Sequence, residues 1–169
     1  MMAGGNSPSL PDKAAVLDGL PEHPALQAIL TWNAKALQDA KFDRGELTLT
    51  VAPETIRQAA ATVQAAGYNF FEDATAVDWF PSAPRFQVSY HILSHARLER
   101  IRLCVRLEDE SPAVESITTV WPAANYFERE IFDLFGIRFE GHPNLRRILM
   151  PDDWKGHPLR KDYPVEGYR

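Results

Sequence analysis

The sequence has a single cysteine, Cys104, in 169 residues. That excludes internal disulfides, four-thiolate zinc sites and any iron–sulfur cluster ligated by this chain alone, because each needs several thiolates converging on one point. It has no excess of positive charge: 18 Lys and Arg against 23 Asp and Glu leave a formal net charge of −5. That is the wrong sign for a protein that coats phosphate backbones, so no nucleic-acid partner is expected. No window approaches the roughly 20 apolar residues of a spanning helix. The opening Met1-Met2-Ala3-Gly4-Gly5-Asn6-Ser7-Pro8 lacks the basic start and apolar run of a secretory signal. The expectation is a cytoplasmic chain whose contact with any membrane runs through partners.

What is present is one ordinary domain's worth of core, with 45% apolar residues. Residues 1–21, rich in Gly, Pro, Ser and Asp, read as an arm without sustained period. From Pro24 to Ala40 the residues Leu26, Ile29, Leu30, Ala34 and Leu37 recur at helical spacing. Gly45 to Val51 alternates as a half-buried strand, and Pro53 to Gly67 reads as a helix with Pro at its start and Gly at its stop. Asn69 to Phe80 is β-prone. Arg85–Leu93 and Glu99–Leu107 alternate as the two arms of a hairpin, and Pro122 to Phe135 returns to helical spacing with Gly136 as its stop. The order α-β-α-β-β-β-α predicts an α+β fold, a mixed β-sheet with helices packed on it, over residues 22–136.

Residues 137–169 change character. They hold four prolines and little periodicity, and from Arg138 onward basic residues outnumber acidic ones seven to five, so the chain is dipolar. Gly141-His142-Pro143-Asn144-Leu145-Arg146-Arg147 is echoed by Gly156-His157-Pro158-Leu159-Arg160-Lys161. Leu145, Ile148, Leu149, Met150, Trp154, Leu159 and Tyr163 are more apolar than disorder tolerates. The segment therefore reads as a long C-terminal tail lying ordered along a surface, its own or a partner's. Upstream, spacing alone reads Glu128-Arg129-Glu130 and Asp133 as a solvated helix face with an Arg129–Asp133 pair, Glu130 and Asp133 sharing a side.

The run Glu128-Arg129-Glu130-Ile131-Phe132-Asp133-Leu134-Phe135-Gly136-Ile137, with Phe139, Gly141-His142-Pro143, Leu145-Arg146-Arg147-Ile148-Leu149 and Pro151-Asp152-Asp153-Trp154 through Asp162-Tyr163-Pro164, resembles the C subunit of proton-pumping NADH:quinone oxidoreductase, respiratory complex I. Thr75-Ala76-Val77-Asp78-Trp79 agrees more loosely. The resemblance implies a non-catalytic structural subunit of the hydrophilic arm, peripheral on the cytoplasmic side of the membrane. It would pack against the D and B subunits and hold no cofactor or metal, with FMN, iron–sulfur clusters and quinone in partner subunits. Its expected partner interface is Glu128, Arg129, Glu130, Asp133, His142, Arg146, Arg147, Asp153, Trp154, Gly156, His157, Pro158, Arg160, Lys161, Asp162 and Tyr163. Trp154 and Tyr163 would act as anchors, and Arg146, Arg147, Arg160 and Lys161 would pair with partner carboxylates. Similar subunits occur in membrane-bound hydrogenases and NDH-type complexes.

Two readings from other classes compete. His91, His95, His142, His157, Asp152 and Asp153 suggest a metal-dependent hydrolase, but on one strand His91 and His95 stand ~13 Å apart, too far for one ion. Cys104 between Arg102 and Arg106 invites a thiolate nucleophile. Its alternating position gives a simpler role, a small side chain on one sheet face beneath a helix.

Overall fold

The computed structural model describes residues 20, 22–108 and 111–167. The arm expected over 1–21 lies outside them apart from Leu20, which is half-buried against the core. Helix α1 (Pro24–Asn33) is followed by strands β1 (Leu37–Asp43) and β2 (Glu46–Val51), a 3-10 turn at Pro53–Thr55 and helix α2 (Ile56–Ala65). Strands β3 (Phe70–Asp78), β4 (Phe86–Ser94), β5 (Glu99–Leu107) and β6 (Ala113–Glu115) come next, then helix α3 (Ala124–Phe135) and strand β7 (Arg138–Glu140). The five-stranded sheet has the order β1-β2-β5-β4-β3; β2 and β5 are parallel, and the other neighbours antiparallel. The mixed sheet and its packed helices make the α+β fold.

Alternation sorts the sheet into two faces. Leu47, Leu49 and Val51 of β2, Phe86, Val88, Tyr90 and Ile92 of β4, and Ile101, Leu103 and Val105 of β5 are wholly buried. They share one core with Ile29 of α1, Ile56 and Val63 of α2 and Ile131 of α3, each fully buried aliphatic contributing about 1.5–3 kcal/mol. The opposite face carries a polar ladder. Arg102 donates from Nε to His91 Nε2 (2.9 Å) and from Nη2 to Glu46 Oε2 (2.8 Å), His91 Nδ1 meets Asp73, and Arg100 bridges Glu46 and Glu72.

Two expectations about the elements are corrected, and one about Cys104. The first helix ends at Asn33, seven residues short of Ala40, because the Asn33 side chain accepts the Lys35 amide (3.0 Å) and its carbonyl accepts the Ala36 amide (3.0 Å). Leu37 then faces Val51 across an antiparallel pair. Arg44 and Gly45, at φ 52° and 82°, close that hairpin in the left-handed geometry that matches strand twist. The element order thus gains β1, together with the short parallel pair β6–β7, whose register sets Val114 beside Phe139. Cys104 is buried, but on the sheet face away from the helices, 3.3 Å from Ser89 Oγ.

Candidate functional site

The C-terminal segment 141–167 contains no helix or strand among the described residues, and it doubles back over α3. A helix leaves its last carbonyls without intrahelical donors and collects partial negative charge there. Here the segment supplies donors for both needs. The Asp133 carbonyl accepts His157 Nδ1–H at 2.9 Å and Arg147 Nη1 at 3.2 Å. The Leu134 carbonyl accepts the Leu159 amide at 3.0 Å, and the Phe135 carbonyl accepts Arg160 Nε at 2.6 Å.

Asp133 is the hub. Its side chain is wholly buried; Oδ2 accepts the amides of Ile148 (3.0 Å), Leu149 (2.8 Å) and Met150 (2.8 Å), while Oδ1 meets Arg147 at 2.6 Å. Burial alone would raise its pKa, but the Met150 amide, the Arg147 guanidinium and the other two amides outweigh that and hold it below the usual carboxylate range. Arg147 Nη2 donates to the Trp154 and Gly156 carbonyls, both at 3.0 Å. Arg129 ties down the carbonyls of Arg146 (3.2 Å) and Arg147 (3.1 Å).

The repeated Gly-His-Pro resolves into two clamps on this one helix. Gly141 and Gly156 both take left-handed φ, 77° and 79°, and each following histidine donates to an α3 carbonyl. His142 Nε2 reaches Asn125 in the first turn at 3.1 Å, and His157 reaches Asp133 in the last. Burial lowers the pKa of both rings.

A second anchor lies at the end of β3. Arg85, 4% exposed, makes two hydrogen bonds to Asp78 (2.9 and 2.8 Å) and two to Asp162 (3.1 and 2.7 Å), and stacks on Phe80 and Phe86. Asp78 Oδ2 also accepts the Lys161 amide at 2.8 Å. Although burial pushes the other way, the Arg85 hydrogen bonds and the amides of Lys161 and Phe80 bring Asp78 down to about 2. Glu128, five residues before Asp133, is wholly buried with no paired cation among the described residues: Ser116 Oγ donates to it at 2.6 Å and the Ile117 amide at 2.8 Å. Burial drives its pKa up to about 7 against those two donors.

The charged groups of α3 and the folded-back segment therefore build architecture, and comparison with known proteins gives that architecture a family. The family model described as "Respiratory-chain NADH dehydrogenase, 30 Kd subunit" matches residues 49–169. The chain belongs to this family. The C subunit of NADH-quinone oxidoreductase from Citrifermentans bemidjiense is 47% identical over 135 residues, 79% of this chain and 84% of the relative. Its namesake in Roseiflexus castenholzii is 50% identical over 133 residues, 77% and 76% of the two chains. Among solved structures, a trypsin-resistant fragment of Nqo5 aligns with TM-score 0.63 at 32% identity, covering 72% of this chain and 99% of the fragment. A chain of the membrane-bound sulfane sulfur reductase, an archaeal respiratory membrane complex, aligns with TM-score 0.72 at 25% identity, covering 83% and 84%.

Within this 30-kDa-subunit family member, the residues expected at an interface divide in two. Glu128, Arg129 and Asp133 are buried, so the solvated helix face is corrected: Asp133 pairs with Arg147 rather than Arg129, and it lies inside while Glu130 lies outside. His142, Arg147, Gly156, His157, Pro158, Arg160 and Tyr163 are half-buried, Asp162 is exposed but tied to Arg85, and Glu130, Arg146, Asp153, Trp154 and Lys161 are exposed. Arg147 and Arg160, expected to pair with partner carboxylates, make bonds inside the chain.

Asp78 and Arg85 were missed as site residues. The signal was a carboxylate on the apolar side of β3, following Ala74 and Ala76 at strand spacing. Of the proposed metal ligands, His91 and His142 have both ring nitrogens in hydrogen bonds, His157 has Nδ1 on the Asp133 carbonyl, and His95 packs edge-on against Phe70. Cys104 is held protonated, its thiol pKa raised by burial.

Gly136 shows how tightly the segment closes on α3. It sits at φ 75°, and a Cβ built there would lie 2.6 Å from His157 Nε2 and 2.8 Å from Arg160 Nη2. Gly136→Ala is expected to cost about 1–2 kcal/mol in backbone strain alone and to displace both side chains. Urea unfolding and faster hydrogen exchange at 157–162 would register it; unchanged exchange there would contradict this picture.

Proposed function

We propose that the chain is the C subunit of a proton-translocating NADH:quinone oxidoreductase and serves the hydrophilic arm as a structural piece holding the D and B subunits. FMN, iron–sulfur clusters and quinone belong to partner subunits in this reading. The chain by itself is inactive and sits on the cytoplasmic side of the membrane, reaching it only through the complex. The observation that carries the proposal is the division at α3. Its buried charges are spent on rigidity, while Tyr126 of α3 (65% exposed) and Leu149 (59%), Trp154 (38%), Leu159 (51%) and Val165 (105%) of the folded-back segment stand exposed. Rigid backing beneath exposed aromatic and aliphatic side chains is what a permanent interface requires.

A second reading is favoured by the sulfane sulfur reductase alignment: the same scaffold in a membrane complex with another electron donor. The higher identity of the NADH-quinone oxidoreductase relatives ranks it below the first. The chain tagged at its N-terminus is to be recovered from mildly solubilised native membranes and read by mass spectrometry and an NADH:quinone assay. Copurification of the D and B subunits with activity is expected. Recovery of hydrogenase-type or sulfur-reducing subunits would select the second reading, and a chain recovered alone would refute both.

A further inference from the structure

Helix α1 opens on a histidine. His23, 7% exposed, holds extended backbone angles just ahead of Pro24. Its carbonyl accepts the Gln27 amide at 3.0 Å, and its ring Nδ1 accepts the Ala25 amide at 3.3 Å. An imidazole can cap a helix in this way only while Nδ1 carries no proton, so the capping ring is the neutral tautomer with its hydrogen on Nε2. Nε2 faces Glu99 Oε2 at 4.0 Å. Tyr68, wholly buried, stacks beside the ring and sets its Oη 3.4 Å from Nδ1. The one phenol proton goes to Glu99 Oε1, which leaves Oη with acceptor capacity alone toward the histidine. Arg97 completes the corner, 5.5 Å over the Tyr68 ring and with Nε 3.9 Å from Glu99 Oε1.

We propose that His23 is an acid-operated latch on the first turn of α1: the neutral ring caps the helix, and a proton on Nδ1 turns the ring from acceptor for Ala25 into donor for Tyr68. This device goes beyond the interface reading and holds whichever complex the chain serves. The titratable and charged groups facing the ring are Tyr68 from ahead of β3, Glu99 from β5 and Arg97 from the β4–β5 turn. Protonation sets two N–H groups against each other at the cap and places a cation at the positive end of the helix dipole, and both oppose it. What it gains is an ion pair with a carboxylate already shared by Tyr68 and Arg97. Burial holds the ring's pKa below its ordinary 6.5; Glu99 pulls it up and Arg97 pushes it further down. The latch is therefore closed above that ordinary value and opens as pH falls below it. The turn it releases carries Ala25 and Leu26, 0% and 3% exposed, so opening starts to uncover the core beneath α1.

The test follows the whole chain by proton–nitrogen NMR between about pH 8 and about pH 4.5, a range that spans the ordinary histidine pKa. It reads the His23 ring signals together with the hydrogen-exchange protection of Ala25 and Leu26, corrected for the intrinsic pH dependence of exchange. Protection should fall about fivefold, the worth of one helix cap, with the same midpoint as the ring. His23→Asn keeps a capping oxygen that takes no proton, so its first turn should stay protected throughout. Glu99→Gln keeps an acceptor for Tyr68 but removes the charge that favours a proton on the ring, so the midpoint should move to lower pH. A parent profile that is flat or departs from the ring's titration would overturn the latch. So would a His23→Asn profile that falls like the parent's, or a Glu99→Gln midpoint that stays or rises. If a substitution disturbs folding, the comparison of amides and ring in the parent decides alone.

Discussion

Asp133→Ala should cost about 3–5 kcal/mol, the range for breaking a buried ion pair by removing one partner. The substitution takes the acceptor, a carboxylate itself fully buried, from Arg147 and from three amides, those of Ile148, Leu149 and Met150. Asp133→Asn is the sharper test, because it keeps the volume and loses only charge and one acceptor. Every neighbour of the carboxylate is a donor, so the new NH2 must point at either the guanidinium or the three amides, and both arrangements are repulsive. Denaturant unfolding should show the loss, and hydrogen exchange should accelerate at 148–150 and at 154–157, where Arg147 lets go. A change under about 0.5 kcal/mol, ordinary for surface positions, would mean that Asp133 is not the hub.

Glu128→Gln should stabilise the protein increasingly from about pH 4.5 to about pH 7. The folded chain keeps the Glu128 proton up to about 7, while the unfolded chain releases it near 4.5. Between those values the folded state binds more protons, so this residue's contribution to stability falls as pH rises. Fully developed, the effect is about 3 kcal/mol at 1.36 kcal/mol per tenfold change in proton affinity. Glutamine keeps an acceptor for the Ile117 amide and has no charge to bury. His23, His142 and His157, with pKa values lowered by burial, act oppositely in part of this window, since their stabilisation is lost as pH falls. For that reason the difference between variant and parent is the quantity to measure. Asp78 and Asp133 lose their contributions only in stronger acid. A flat difference across this pH range would show that Glu128 ionises freely.

Where the deciding interactions are local, the sequence was readable. Alternation at Phe86–Ser94 and Glu99–Leu107 carried the hairpin, and the spacing of Ile131 and Phe135 with Gly136 carried α3 to its last residue. Leu37 failed for a physical reason: it satisfies the helical period begun at Leu26, while a bulge between Leu37 and Asp39 breaks the strand alternation of β1, and only the Val51 partner across the hairpin shows it to be strand. The site was harder. Helix spacing offered Arg129 as the neighbour of Asp133, whereas the actual cation, Arg147, arrives through a loop 14 residues on. Arg85 and Asp162 meet across 77 residues of chain, a distance over which no periodicity speaks. The Gly-His-Pro echo was visible as a repeat, but its shared target on α3 was not.

The strand order β1-β2-β5-β4-β3 also sets a timetable. As the chain emerges from the ribosome, β2 can pair with β1 at once, but its other edge must wait for Ile101–Cys104 of β5, more than fifty residues later. Until then an apolar strand edge stands open, and non-local parallel pairing of this kind is slow and prone to misassociation. The strand at the centre of the sheet, β5, is the last of the five to be synthesised. Synthesis of this chain without a holding chaperone should therefore fail first at the β2 edge, well before the C-terminal segment has been made.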